Sequence, residues 1–167
     1  FVADSFIYRT NNLTATTPTW TQIANLGTVI KAMHVSYGDP NKLYIITNDA
    51  KIHVSNNALQ ASPTFTTYTI PSNTNLTASI TSIKSNTNVI YITANTQVYR
   101  SANNGATWTN ITFNLPSVNH IRILADEFFS SNELVMIASA NAVYYKSGFA
   151  SSWTLFNTNL PTRTDAI

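Results

Sequence analysis

The sequence contains no cysteine, so disulfides, thiolate nucleophiles and cysteine-based metal sites are excluded together, and the redox compartment stays open. Charge is scarce as well: 10% of residues are Asp, Glu, Lys or Arg, where about 25% is usual. The nine basic and seven acidic residues are scattered, with Asp126 and Glu127 the one adjacent pair. No run of Lys or Arg is present to follow a phosphate backbone, which argues against a nucleic-acid partner. No apolar stretch approaches the roughly 18 residues that a membrane-crossing helix needs, so membrane insertion is not expected. His34, His53 and His120 lack metalloprotease spacing, and neither a metal nor a cofactor is expected. The chain begins at Phe1 without a signal-like segment, which reads as an internal or processed start.

What is present points to β-structure. Hydrophobic residues make up 44% of the chain and aromatics 11%, enough to form a packed core rather than a disordered chain. Thr, Asn and Ser supply most of the polar surface and alternate with Val, Ile, Tyr and Phe, the pattern of half-buried strands. No segment sustains a 3.6-residue apolar period, so almost no helix is expected.

A repeat organises the whole chain. Four segments share a strand, a polar turn, an aromatic residue and a threonine: Phe6 to Asn12 with Trp20-Thr21, Ile52 to Asn57 with Phe65-Thr66, Val98 to Thr109, and Val143 to Thr154. Tyr8, His53, Tyr99 and Tyr145 lie 45, 46 and 46 residues apart. Trp20, Phe65, Trp108 and Trp153 keep step at 45, 43 and 45, and Ile70-Pro71, Leu115-Pro116 and Leu160-Pro161 recur at 45 and 45. Two further strand-like runs fall between these markers in each full repeat: Val29 to Val35 and Leu43 to Thr47, Ala78 to Ile83 and Val89 to Thr93, and His120 to Leu124 and Glu133 to Ala138. Gly38-Asp39-Pro40-Asn41 predicts the turn within the first of these pairs.

A four-stranded unit cannot bury both of its faces alone and must stack on its neighbours. The fold class read from this is all-β, a partial β-propeller of about 3.5 four-stranded antiparallel blades; a β-sandwich or solenoid is the alternative. The predicted boundaries within the single segment 1–167 are a half blade over 1–26, blades over 27–72, 73–116 and 117–161, and the start of another strand over 162–167. So few blades imply a fragment of a larger propeller, whose ring the rest of its own chain must close.

The third repeat carries Ser101-Ala102-Asn103-Asn104-Gly105-Ala106-Thr107-Trp108. It resembles the Asp-box, or bacterial neuraminidase repeat, with Asn103 where Asp is usual. Asn can still accept backbone N–H bonds in a tight turn, and Gly105 can supply a positive φ. The other three copies keep only the leading Ser or Thr and the closing aromatic. The apolar runs after Asp39-Pro40-Asn41 and Thr87-Asn88 are similar to blades of sortilin-like and xyloglucanase- or sialidase-type propellers. The resemblance implies a structural role for Ser101, Asn103, Gly105 and Trp108, on a turn at the blade periphery away from the binding face.

Chemistry is sparse. A glycosidase needs two carboxylates about 5 to 9.5 Å apart; Asp39 and Asp49 read as turn and loop residues. Asp126 and Glu127 open a longer insertion with Phe128 and Phe129, and acids with aromatics on a loop can bind sugar; the same insertion also reads as a solvated hairpin. Arg122, on an innermost-type strand, is a candidate to face the central channel. Arg9 and Arg100 are expected on the rim as partners of nearby carbonyls. His34 and His120 share a first-strand phase and are candidates to line the channel, or else satisfied strand histidines. No catalytic residue is assigned. The expectation is a non-enzymatic, secreted or cell-surface scaffold that binds protein or glycan; the alternative is a glycoside hydrolase whose acids lie largely outside this segment.

Overall fold

The computed structural model describes residues 5–74, 76–125, 133–140, 142–147 and 150–156. These residues contain no helix, and within each sheet consecutive strands pair antiparallel. β1 (Phe6–Arg9) and β2 (Thr21–Asn25) form a two-stranded sheet. Three four-stranded sheets follow: β3 (Ile30–Ser36), β4 (Asp39–Thr47), β5 (Lys51–Ser55) and β6 (Thr66–Thr69); β7 (Ala78–Ser82), β8 (Ile90–Ala94), β9 (Gln97–Ser101) and β10 (Thr109–Asn110); β11 (His120–Ala125), β12 (Val135–Ser139), β13 (Val143–Lys146) and β14 (Thr154–Leu155).

The apolar residues show why the sheets stack. Side chains alternate between the two faces of a strand. In β4, Leu43 and Ile45 enter a cluster with Ile7 and Ala58, against which Ile23 and Phe65 pack. Tyr44 and Ile46 enter a second cluster on the other face, with Ile80, Ile90 and Ile92 of the next sheet. Tyr91 and Val98 then turn to a third, with Ile123, Val135, Ile137 and Trp153. Each four-stranded sheet is thus a blade packed on its neighbours, and the chain is part of a propeller. Leu43 to Thr47 and Ile90 to Ala94 are buried throughout, because second strands are covered on both faces. Each fully buried Ile or Leu contributes about 1.5–3 kcal/mol.

Polar side chains tie blade to blade. The Trp108 indole donates to the Thr69 carbonyl at 3.1 Å, and that of Trp153 to the Ile111 carbonyl at 2.8 Å, each reaching back to the preceding blade. Trp20, at the same phase, is 47% exposed. In the forward direction the Tyr44 hydroxyl donates to the Thr87 carbonyl, and the buried Lys42 ammonium donates to Asn88 Oδ1 at 2.6 Å and Thr87 Oγ1 at 3.2 Å.

The β3–β4 turn is tighter than expected. Only Tyr37 and Gly38 turn, and Asp39 already pairs with Ser36. The next blade dictates this, since a Cβ on Gly38 would stand 2.3 Å from the Lys84 carbonyl oxygen.

Candidate functional site: a cationic cleft on the inner strands

β3, β7 and β11 are the first strand of each blade and lie side by side. As sheet edges they present N–H groups without ladder partners, which must be satisfied locally. The neighbouring blade does so. Ser82 N–H donates to His34 Nε2 at 3.1 Å, Ile123 N–H to Ser79 Oγ at 3.2 Å, and Ala125 N–H to Thr81 Oγ1 at 3.3 Å. The hydroxyl-rich inner strands are therefore caps for the next blade's edge.

Over this belt lies a cleft of about 190 Å³, lined among others by Lys31, His34, Tyr37, Ser79, Ile121 and Arg122. Two of these owe their placement to strand irregularities. Ile30 pairs with Thr47 and Ala32 with Ile46, leaving Lys31 as an extra residue; His120 pairs with Ser139 and Arg122 with Ala138, leaving Ile121 extra. Such bulges break the in–out alternation and re-aim side chains. Both bulged residues line the cleft.

Its electrostatics are one-sided. Lys31 and Arg122 are exposed, and among the described residues neither forms an ion pair. Burial, and after it the Arg122 charge, bring His34 down to about 4, so its ring is neutral at physiological pH. No carboxylate is among the described lining residues. The described acids are held elsewhere: Asp39 accepts from Asn41 N–H at 2.9 Å, Asp49 pairs with Lys51 at 2.7 Å, and Glu133 pairs with Arg100 at 2.8 Å.

Arg122 is thus the one predicted binding residue found in the cleft; Asp126, Glu127, Phe128 and Phe129 lie outside the described residues. His34 lines the cleft and is also a satisfied strand histidine. His120 is buried, with Nδ1 at 2.8 Å from Ser139 Oγ of its own blade, and takes no part in the lining. Arg9 donates to the Ala58 and Gln60 carbonyls, as expected. Arg100 does not: it meets Glu133 of the next blade in a bidentate pair at 2.8 and 3.0 Å, and Tyr91 donates to the same carboxylate. Burial pushes Glu133 up, but its bonds to Arg100 and Tyr91 outweigh that and hold it below the usual range. Lys31 and Ile121 were missed because a bulge leaves no mark in strand periodicity, and Tyr37 because it sits in the β3–β4 turn.

Ser101, Asn103, Gly105 and Trp108 occupy the β9–β10 turn, on the outer strands. Ser101 Oγ accepts from Gly105 N–H at 2.8 Å, and Asn103 Oδ1 from Thr107 N–H at 2.9 Å. Gly105 has φ +91°, and a Cβ there would meet Ile52 Cγ2 of the preceding blade at 2.9 Å. Two copies expected to keep little of this turn retain its centre. Asn12 Oδ1 accepts from Thr19 N–H and Asn57 Oδ1 from Thr64 N–H, both at 2.9 Å, and each Asn N–H bonds back to the hydroxyl two residues earlier. The overlooked signal is Thr10-x-Asn12, Ser55-x-Asn57 and Ser101-x-Asn103 at one phase.

Residues 14–166 match the family model of the DUF6242 beta propeller domain. Among solved structures, a GH74 enzyme from Niastella koreensis superposes with a TM-score of 0.66 at 15% identity, over 91% of this chain and 27% of its own. The GH74 xyloglucanase from Xanthomonas campestris gives 0.58 at 15% identity, over 80% and 24%. YCF48 bound to D1 peptide gives 0.57 at 16% identity, over 77% and 40%. At such identities these likenesses speak for the fold, and the chain spans about a quarter of the GH74 enzymes' length. No curated protein matches it.

Proposed function

Because the chain belongs to the DUF6242 beta propeller domain family, we propose that it is a non-enzymatic binding scaffold, which holds a protein or glycan ligand at the inner-strand cleft. In this reading it is part of a larger secreted or cell-surface protein whose remaining chain closes the ring, and the Ser/Thr-x-Asn turns are degenerate Asp-boxes that brace the blades. The supporting observation is the cleft itself: two cations on separate blades, Lys31 at one bulge and Arg122 beside another, with no carboxylate among the described lining residues. Similar propellers serve a xyloglucanase and a peptide-bound protein, so the fold admits either ligand class and decides neither.

Hydrolysis would need two carboxylates about 5–9.5 Å apart facing one bond. Asp39, Asp49 and Glu133 are instead bound to a turn amide, a lysine and an arginine. The test is a glycan and peptide array probed with the chain, beside a reducing-end assay on neutral and acidic polysaccharides. Saturable binding without product supports the scaffold. Released reducing ends that survive removal of contaminating enzymes contradict it.

A further inference from the structure

Resting on the scaffold reading, we infer that the cleft takes an acidic peptide, with a ligand carboxylate between Lys31 and Arg122 and a neighbouring aliphatic side chain against Ile121.

Charge is the first argument. Lys31 on β3 and Arg122 on β11 border one cleft from blades that are not adjacent, with β7 between them. Arg122 of β11 and His34 of β3 line the same cleft, so the guanidinium borders the face that β3 presents. Neither cation has a counter-ion among the described residues. An anion placed between them gains from both, and the folded blades have already fixed their spacing.

The walls are the second. Ile121, 58% exposed at its bulge, and Leu124, 45% exposed, line the cleft beside Arg122. Aliphatic surface next to a cation suits a peptide that carries Leu, Ile or Val beside Glu or Asp. A sugar presents hydroxyls that both donate and accept. Here the charged groups only donate, and the one tyrosine among the described lining residues, Tyr37, is already engaged in a T-shaped contact with His34, ring centroids 4.8 Å apart.

The third argument limits how the peptide binds. Peptides often add a strand to a free sheet edge. His34, Ser79 and Thr81 already cap N–H groups along the inner edges, so recognition falls to side chains, and charge dominates it.

Fluorescence anisotropy with the 167-residue chain tests this, using a fluorescein-labelled peptide of alternating glutamate and leucine and a counterpart of alternating lysine and leucine. The acidic peptide binds, loses affinity as salt rises, and binds at least tenfold more weakly to the double variant Lys31→Glu, Arg122→Glu. That variant now prefers the lysine peptide; both positions are exposed, and circular dichroism checks that it folds. Ile121→Ser weakens the acidic peptide about fivefold. Equal binding of both peptides, or acidic-peptide binding indifferent to the double variant, overturns the inference. If neutral xyloglucan oligosaccharides shift the amide resonances of Lys31, Ser79 and Arg122 while the acidic peptide does not, the peptide is wrong and the scaffold stands. If no probe shifts them, both fall.

Discussion

Asn103 holds its turn through an acceptor oxygen, and the same atom does so at Asn12 and Asn57. Replacing any of the three with Ala removes that acceptor, and urea unfolding should show a loss of about 1–2 kcal/mol each. Asn103→Asp, which keeps the oxygen, should be nearly neutral; a neutral Asn103→Ala would contradict the assigned role. His34 gives a pH signature. Burial, then Arg122, lowers its pKa to about 4, and burial lowers His53 and His120 as well. Unfolded histidines protonate near pH 6.5, so between about pH 6.5 and 4 the unfolded chain binds more protons than the native one. This contribution is complete above the window and is lost as pH falls through it. His34→Gln, whose amide oxygen can still accept from Ser82, should flatten the decline between pH 7 and 4 by up to about 3 kcal/mol; an unchanged slope would contradict it. At this scale the sequence was legible where a motif was intact, as at Ser101 to Trp108. It was opaque at Lys31 and Ile121, since an extra residue in a strand looks like any other.

For the elements, strand order followed from the hydrophobic runs and their spacing, while ends and turns shifted by a residue or more. The β3–β4 turn moved because Gly38 lies against Lys84 and Thr87 of the next blade, a neighbour some 46 residues away that local turn signals do not report. Gly38→Ala should therefore cost about 1–3 kcal/mol, the usual range for overpacking, although its φ is not in the left-handed region. A melting temperature within a degree of the parent would show that this approach is not tight. The Arg100–Glu133 pair joins two blades; a carbonyl partner was expected instead because Arg9 and Arg100 share a repeat phase but not a neighbour. Glu133→Gln leaves the guanidinium with a weaker partner, and a loss of about 1–2 kcal/mol is expected for this part-exposed pair, measured by urea unfolding beside Arg100→Lys.

For the whole molecule, the architecture was the most legible feature, because three markers at one period are hard to satisfy without stacked units. The cleft was the least legible. It joins residues from three blades that approach only when first strands converge, and of its lining only Arg122 and His34 had been singled out. Nearest-neighbour packing also means that disturbing one interface should loosen the blades beside it first. Hydrogen exchange on Gly38→Ala should accordingly rise in β3, β4, β7 and β8 before β11–β13.

The central claim, that ligands meet this chain at its inner strands, is tested most directly by an NMR titration of the ¹⁵N-labelled chain with any ligand the arrays return. The account predicts saturable shifts at Lys31–His34, Ser79–Ile80 and Ile121–Leu124, with the turns at Asn12, Asn57 and Asn103 unmoved. Shifts confined to those outer turns, with the inner strands silent, would contradict it.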